Sequence, residues 1–316
     1  MMTVQASYLK ASGELKITAA SALSPGEVLN VNGQAAVVAG VDDIASGAQA
    51  TLYTGGQFRV QKDTSTVLLP GQPVWWDQTN EEVCHECSAT ASFYLGVNLY
   101  DQAASDATCT VDLNAAPCWH IHSARDDMDE LETLGLGIEQ IGGYAKAAFD
   151  AVNEAATAAV WPEEKTVAVT GDWIFYGVIN IVANGDAAAF DLNFGMANET
   201  HATNFDSVAE QVTIHIDGNA TNITAESDDG TTEVAATDTT IDFTAGTPFL
   251  VQIDGRDPAS VKIYIDGARV LSGSTFVLTA ATGPLFPILY MEKSTDDTAA
   301  EAKAQFGVQV HQVLTA

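Results

Sequence analysis

Positive charge is what this sequence has least of. Lys and Arg total 12 against 42 Asp and Glu in 316 residues, which leaves a formal net charge of -30. No basic stripe exists to neutralise phosphates, so nucleic acid is not an expected partner, and anionic lipid is repelled. Long apolar runs are also missing: none approaches the roughly 18 residues of a membrane span. Met1 to Lys10 lacks a basic segment followed by an apolar one, so the expectation is synthesis in a cytoplasm and use in a soluble assembly. The GxSxG, HExxH and P-loop patterns are absent. With 42 acidic residues some carboxylate pair will always resemble a glycosidase dyad, so such pairs carry no signal. The chain is expected not to be an enzyme.

What is present is strand pattern. Hydrophobic residues make up 47%, enough for a core in each of two domains. From Gly13 to Asn114, short strands alternate with turns. Leu15 to Thr18 leads to Ser24-Pro25-Gly26, where Pro presets one backbone angle and Gly permits the next. Val28 to Val31 breaks at Asn32-Gly33, a hairpin signal. Ala35 to Val41, Ala48 to Thr54 and Phe58 to Lys62 follow. A second Pro-Gly turn, Leu69 to Pro73, enters Val74-Trp75-Trp76, and Phe93 to Leu99 and Thr108 to Leu113 end the set. Strands this short and close imply a small barrel or sandwich.

The stretch 115–164 reads differently. Ser123 suits a helix N-cap, with Asp126 three residues on. Leu131, Leu134, Ile138, Ile141, Ala145, Ala148 and Val152 recur at steps of three and four, a seam able to pack on its own domain or on another subunit. Gly135, Gly137, Gly142 and Gly143 argue for short helices rather than one. A partly helical connector is expected here. From Lys165 strands resume: Trp173 to Val182, Phe190 to Met196, Gln211 to Ile216, Phe249 to Ile253, Val261 to Ile265 and Phe306 to Val313. The expected class is all-β: a small N-terminal barrel or sandwich over 1–114, the connector over 115–164, and a jelly-roll sandwich over 165–316.

Four cysteines, Cys84, Cys87, Cys109 and Cys118, lie in one stretch with His85, His120 and His122. Thiolate and imidazole suit tetrahedral zinc, so a structural zinc site is one reading. Reduced cysteines, or disulfides formed after lysis, are the other, because only one CxxC is present. Asp217-Gly218-Asn219 and Asp228-Asp229-Gly230 could offer calcium oxygens, but neither has a known loop spacing and turns favour these residues anyway. His201, His215 and His311 stand singly, as strand or loop residues.

Two resemblances appear. Leu15-Lys16-Ile17-Thr18-Ala19-Ala20, Ser24-Pro25-Gly26-Glu27-Val28-Leu29, Pro70-Gly71-Gln72-Pro73-Val74-Trp75-Trp76-Asp77, Leu95-Gly96-Val97 and Cys109 to Asn114 together resemble the small capsid decoration (cement) proteins of tailed phages. The Cys84–Cys87 insert departs from that pattern. Phe249 to Ile253, followed by Val261 to Val270 with its Tyr264-Ile265-Asp266-Gly267 hairpin, resembles concanavalin A-like (laminin-G-like) jelly rolls. The first resemblance implies a virion structural protein on the outer capsid surface, made in the host cytoplasm and held by the major capsid protein. Homotrimers are expected because head lattices offer three-fold sites, and the acidic surface fits a position away from packaged DNA. The second implies an alternative, a carbohydrate-binding surface adhesin for a host glycan. Its candidate contacts are Trp173, Tyr176 and Tyr264, residue types that more often fill the sandwich core.

Overall fold

The computed structural model describes residues 6–85, 92–115, 120–121, 128–132, 139–141, 144–162, 166–185, 190–294 and 298–310. Two compact units divide the chain, one of residues 1–118 with 266–268 and one of residues 119–265 with 269–316. Among the described residues the only helix is the 3-10 turn Phe205–Ser207.

Eight strands form the first unit: β1 (Ala6–Thr18), β2 (Val28–Val31), β3 (Gln34–Val38), β4 (Gln49–Gln61), β5 (Pro73–Asp77), β6 (Glu82–Cys84), β7 (Ser92–Asn98) and β8 (Thr108–Leu113). The two expected strands 48–54 and 58–62 are one continuous β4, and the whole unit turns on it. One edge of β4 pairs with β1 along its length. The other edge forks, pairing with β3 at Leu52 and Tyr53 and with β8 from Gly56 to Gln61. Gly56 sits at the fork with a φ of 108°, a conformation open to glycine and costly for other residues. The order β2-β3-β4-β8-β7-β5-β6 then curls round a core that includes Phe58, Val74, Trp76, Leu95 and Val111.

Asn114 closes the fork. Its backbone is left-handed (φ 56°), which Asn tolerates better than most residues. Its side-chain amide accepts from Ala35 N at 3.1 Å and donates to Ala35 O and Thr54 O, both at 2.8 Å. The amide thus stands in for a peptide unit where β3 and β8 part company.

Both Pro-Gly turns use one device. Gly26 and Gly71 each have a φ of 79°. Ser24 N donates to Glu27 Oε2, and Leu69 N donates to Gln72 Oε1, each at 2.9 Å. The side chain of the fourth turn residue therefore satisfies the N–H of the first, and each turn feeds a strand of the core.

The second unit contains β9 (His120–Ile121), β10 (Met128–Glu132), β11 (Glu139–Ile141), β12 (Tyr144–Phe149), β13 (Ala156–Pro162), β14 (Trp173–Ala183), β15 (Phe190–Ala197), β16 (Glu210–Asp217), β17 (Asn222–Asp229), β18 (Glu233–Asp242), β19 (Phe249–Asp254), β20 (Lys262–Ile265), β21 (Ala268–Arg269), β22 (Phe286–Lys293) and β23 (Ala300–Val310). They make the expected sandwich. One sheet runs β10-β13-β22-β15-β16-β17-β18 and the other β11-β12-β23-β14-β19-β20-β21, with β9 on β23. The core lies between them. Phe194 meets Phe175 and Phe306 edge-on, with centroids 5.2 and 5.5 Å away. The opposite sheet makes room with Gly177, where a Cβ would fall 2.3 Å from the Phe194 ring.

The helical connector is not found: where 115–164 is described it is strand or loop. Residues of the proposed seam fall on separate elements, Leu131 on β10, Ile141 on β11, and Ala145 and Ala148 on β12, while Val152 is an exposed loop residue. Leu134, Ile138, Ser123 and Asp126 lie outside the described residues. The physical reason is visible in β12. Ala145, Ala147 and Phe149 alternate inward with period two, and its edge pairs with β23 from Ala145–Ala304 to Phe149–Ala300. Alanine permits helix, but here it fits a close-packed sheet face, and tertiary pairing decides.

The fork yields a prediction. Asn114→Gly keeps the left-handed backbone and removes three hydrogen bonds. It should cost about 1–3 kcal/mol. Amide exchange at Ala35 in the full chain should accelerate, and unchanged protection there would show that the amide does not hold the fork.

Candidate functional site

The outer face of the seven-stranded sheet carries a polar cluster centred on His215. Alternation places it there. On β15, Phe190, Leu192 and Phe194 enter the core, so Asp191 and Asn193 face outward. On β16, Val212, Ile214 and Ile216 enter, so Thr213, His215 and Asp217 face outward. The register sets Asp191 opposite Asp217 and Asn193 opposite His215.

His215 is 7% exposed and lies at the centre. Its Nε2 is 2.9 Å from Asp217 Oδ1 and 3.6 Å from Asp191 Oδ1. Its Nδ1 is 3.1 Å from Asn193 Oδ1 and 3.7 Å from Glu226 Oε1. Thr213 Oγ1 donates to Gln211 Oε1 at 2.8 Å, and Gln211 Nε2 donates to Glu226 Oε1 at 3.1 Å. Asp206, from the 3-10 turn, brings a carboxylate oxygen into the same compass as His215 and Glu226.

The loop bearing Asp206 is pinned to this face. Phe205 and Val208 pack on Ala159, Ala197, Ile288 and Tyr290. Glu292 Oε2 accepts from Phe205 N at 3.2 Å and from the Tyr290 hydroxyl at 2.7 Å. Thr157 donates to Ala202 O at 2.7 Å. Burial pushes the Glu292 carboxyl above its ordinary range.

Nearby carboxylates serve as loop anchors. Glu210 accepts from Thr282 N and Gly283 N, each at 2.8 Å. Asp229 accepts from Thr231 N, Thr232 N and Ala280 N. Its oxygens are therefore spent on backbone donors, and Asp228 Oδ1 accepts from Gly230 N. The Asp228-Asp229-Gly230 set thus points at the protein's own amides. Burial alone would raise Asp254, but the Arg256 guanidinium at 2.8 Å outweighs it and holds the carboxyl below the usual range.

The residues singled out from sequence fare unevenly. Trp173, Tyr176 and Tyr264 are all buried, and Trp173 Nε1 donates to Val169 O at 3.2 Å. Stacking on a sugar needs an exposed ring, which none of these three offers. Cys87, Cys118 and His122 lie outside the described residues, and of His120 only the backbone is described. Cys84 Sγ donates to Trp75 O at 3.6 Å, Cys109 is buried, and neither joins a metal-sized ligand group among the described residues. Burial pushes the Cys109 thiol up to about 12, which leaves it protonated and inert. His215 read as a lone strand residue is the main omission. Its shared parity with Asp217 was legible, but the pairing that brings Asp191 and Asn193 opposite was not.

The cluster makes stability depend on pH. Burial would pull His215 down, but Glu226, Asp217 and Asp191 outweigh it and push the imidazolium up to about 9. Burial pushes Asp191 up to about 7. Both groups bind a proton more tightly folded than unfolded. Their stabilisation is complete below their unfolded values, about 6.5 for His and 3.9 for Asp, and is lost as pH rises through the folded ones. In chelator-containing buffer, the thermal midpoint should fall between pH 6.5 and 9.5, and His215→Gln should flatten that fall. Equal slopes in both proteins would refute the assignment.

Comparison with known proteins adds a family. Among solved structures, the carbohydrate recognition domain of Emp47p is similar at 11% identity and a TM-score of 0.42, over 59% of this chain and 90% of that one. A Bacillus subtilis protein of unknown function with a galectin-like fold is 12% identical with a TM-score of 0.40, over 60% and 94%. A Shewanella oneidensis MR-1 protein of unknown function is 11% identical with a TM-score of 0.41, over 61% and 84%. No curated protein matches the chain. Residues 10–113 match the model of the phage cement protein family, a segment that begins within β1 and ends with β8. Over nearly all of its strands, the first unit of this chain is thus similar to the phage cement proteins.

Proposed function

We propose that this protein decorates the outer surface of a tailed-phage capsid and stabilises the shell, with a structural rather than catalytic role. The observation that carries the reading is the cement match over residues 10–113, which takes in nearly all of a unit with its own core. The major capsid protein is the partner, and a homotrimer at three-fold lattice positions is the assembly. The acidic composition supports a site outside the shell, away from DNA. No helix among the described residues is long and apolar enough to cross a membrane. The first unit grips the shell and the second projects from it. Affinity arises from apolar and backbone contacts multiplied over linked subunits.

On the first unit, Val41 is 90% exposed beside a cleft of about 530 Å³ whose walls include Val37, Val38, Tyr53 and Phe58. This apolar edge is the proposed contact with the shell. Purified full-length protein should be retained by heads that lack it and should raise their resistance to heat. Val41→Asp, at a position free of packing constraints, should weaken retention about tenfold or more, the scale of a desolvated apolar contact. No retention of the wild-type chain would remove the cement reading. Retention unaffected by Val41→Asp would place the contact elsewhere.

A further inference from the structure

The cluster around His215 has a composition that neither a shell contact nor a sandwich core calls for. We propose that Asp191, His215 and Asp217 bind one transition-metal dication of the Zn²⁺ or Mn²⁺ class, with water completing its shell.

One ligand atom from each of the three residues lies within 4.8 Å of the others. His215 Nε2 lies 2.9 and 3.6 Å from the two aspartate oxygens, near the spacing of about 3.0–3.6 Å between ligands of one ion with bonds of about 2.0–2.2 Å. The backbone fixes the donors in advance. His215 and Asp217 are two apart on β16, Asp191 faces Asp217 from β15, and each strand is laddered on its other edge, to β17 and to β22. Asp217 is half-exposed, so an ion can reach the site from solvent.

A second observation is independent of the carboxylates. Asn193 is fully buried, yet its Nδ2 has no hydrogen-bond partner. Orphaned buried donors are rare, and each asks for an explanation. The same amide lies 3.1 Å from His215 Nδ1 through its oxygen, so the orphan N–H borders the cluster. An ordered water beside the cluster would supply the missing acceptor. The Asn193 oxygen also accepts from Nδ1–H and frees Nε2 for a metal, the outer-shell arrangement usual for ligating histidines.

Ligand chemistry selects the ion. One imidazole with two carboxylates suits borderline dications, whereas Ca²⁺ and Mg²⁺ prefer all-oxygen shells. Among the described residues, Asp191, Asp217 and Glu226 have no Lys or Arg partner within ion-pair distance, in a chain of net charge -30.

The test uses full-length protein stripped with a chelator and dialysed. Calorimetric titration with Mn²⁺, Zn²⁺ and Ca²⁺ should show one equivalent of Mn²⁺ or Zn²⁺ bound more tightly than Ca²⁺. The Co²⁺ adduct should lack a thiolate charge-transfer band, and Cys84→Ser/Cys87→Ser should retain the site. Asp217→Asn, at a half-exposed position that leaves the core intact, should weaken binding at least tenfold, as should His215→Gln. Asn193→Leu should weaken it by about 10–100-fold, as outer-shell changes do. Absence of binding by the stripped wild-type chain, a thiolate band with loss in the cysteine variant, a preference for Ca²⁺, or unchanged affinity in Asp217→Asn would each overturn the proposal.

Discussion

Phe194 can enter the sandwich only because the facing strand carries no side chain at Gly177. That single accommodation fixes more than packing. With Phe194 inward, the parity of β15 is set, and a one-residue slip would turn every side chain to the other face. Asp191 and Asn193 must then stand outside, opposite Asp217 and His215. The polar cluster is therefore the reverse side of the aromatic core, and disturbing one disturbs the other. Beside it, Phe205 and Tyr290 form a small apolar patch on the same outer face, with ring centroids 4.9 Å apart. Their patch holds the loop that delivers Asp206.

The first unit rests on a different device, a long strand shared by two partners on one edge. A fork of this kind leaves backbone groups unmatched where the partners diverge. Gly56 relieves the geometry and Asn114 supplies the missing donors and acceptor. The two Pro-Gly turns meet the same demand at the ends of β2 and β5, by lending a side-chain oxygen to a backbone N–H. Local polar satisfaction, more than bulk burial, shapes this small unit.

Much of this was legible in the sequence, for identifiable reasons. The alternation of Gln211 to Ile216 and the Asp266-Gly267 turn announce strands and a hairpin, because both signals are local. β18 escaped notice because Glu233 to Asp242 is rich in Thr, Asp and Ala and mostly exposed on a sheet edge. β22 escaped for the opposite reason. Phe286–Lys293 is buried on both faces, so it shows no alternation to read. In the connector, the three-and-four spacing of apolar residues is real but straddles several short strands, and only pairing with β13, β22 and β23 reveals it. The His215 cluster is non-local in the same sense. It depends on β15 and β16 meeting across the loop of Asp206. Trp173, Tyr176 and Tyr264 take the core alternative, which ring chemistry alone could not select because it says nothing about which side of a sheet a residue takes.

The position of Asn114 has a mechanical consequence. It is the residue immediately after β8, so tension applied where the chain leaves the first unit arrives there before it reaches any ladder. Its amide is tied to Ala35 on β3 and Thr54 on β4 at once, so the load is divided between two strands instead of peeling β8 away one bond at a time. Force applied to the chain beyond residue 115 would thus pass into the body of the first unit's sheet, where many bonds share it.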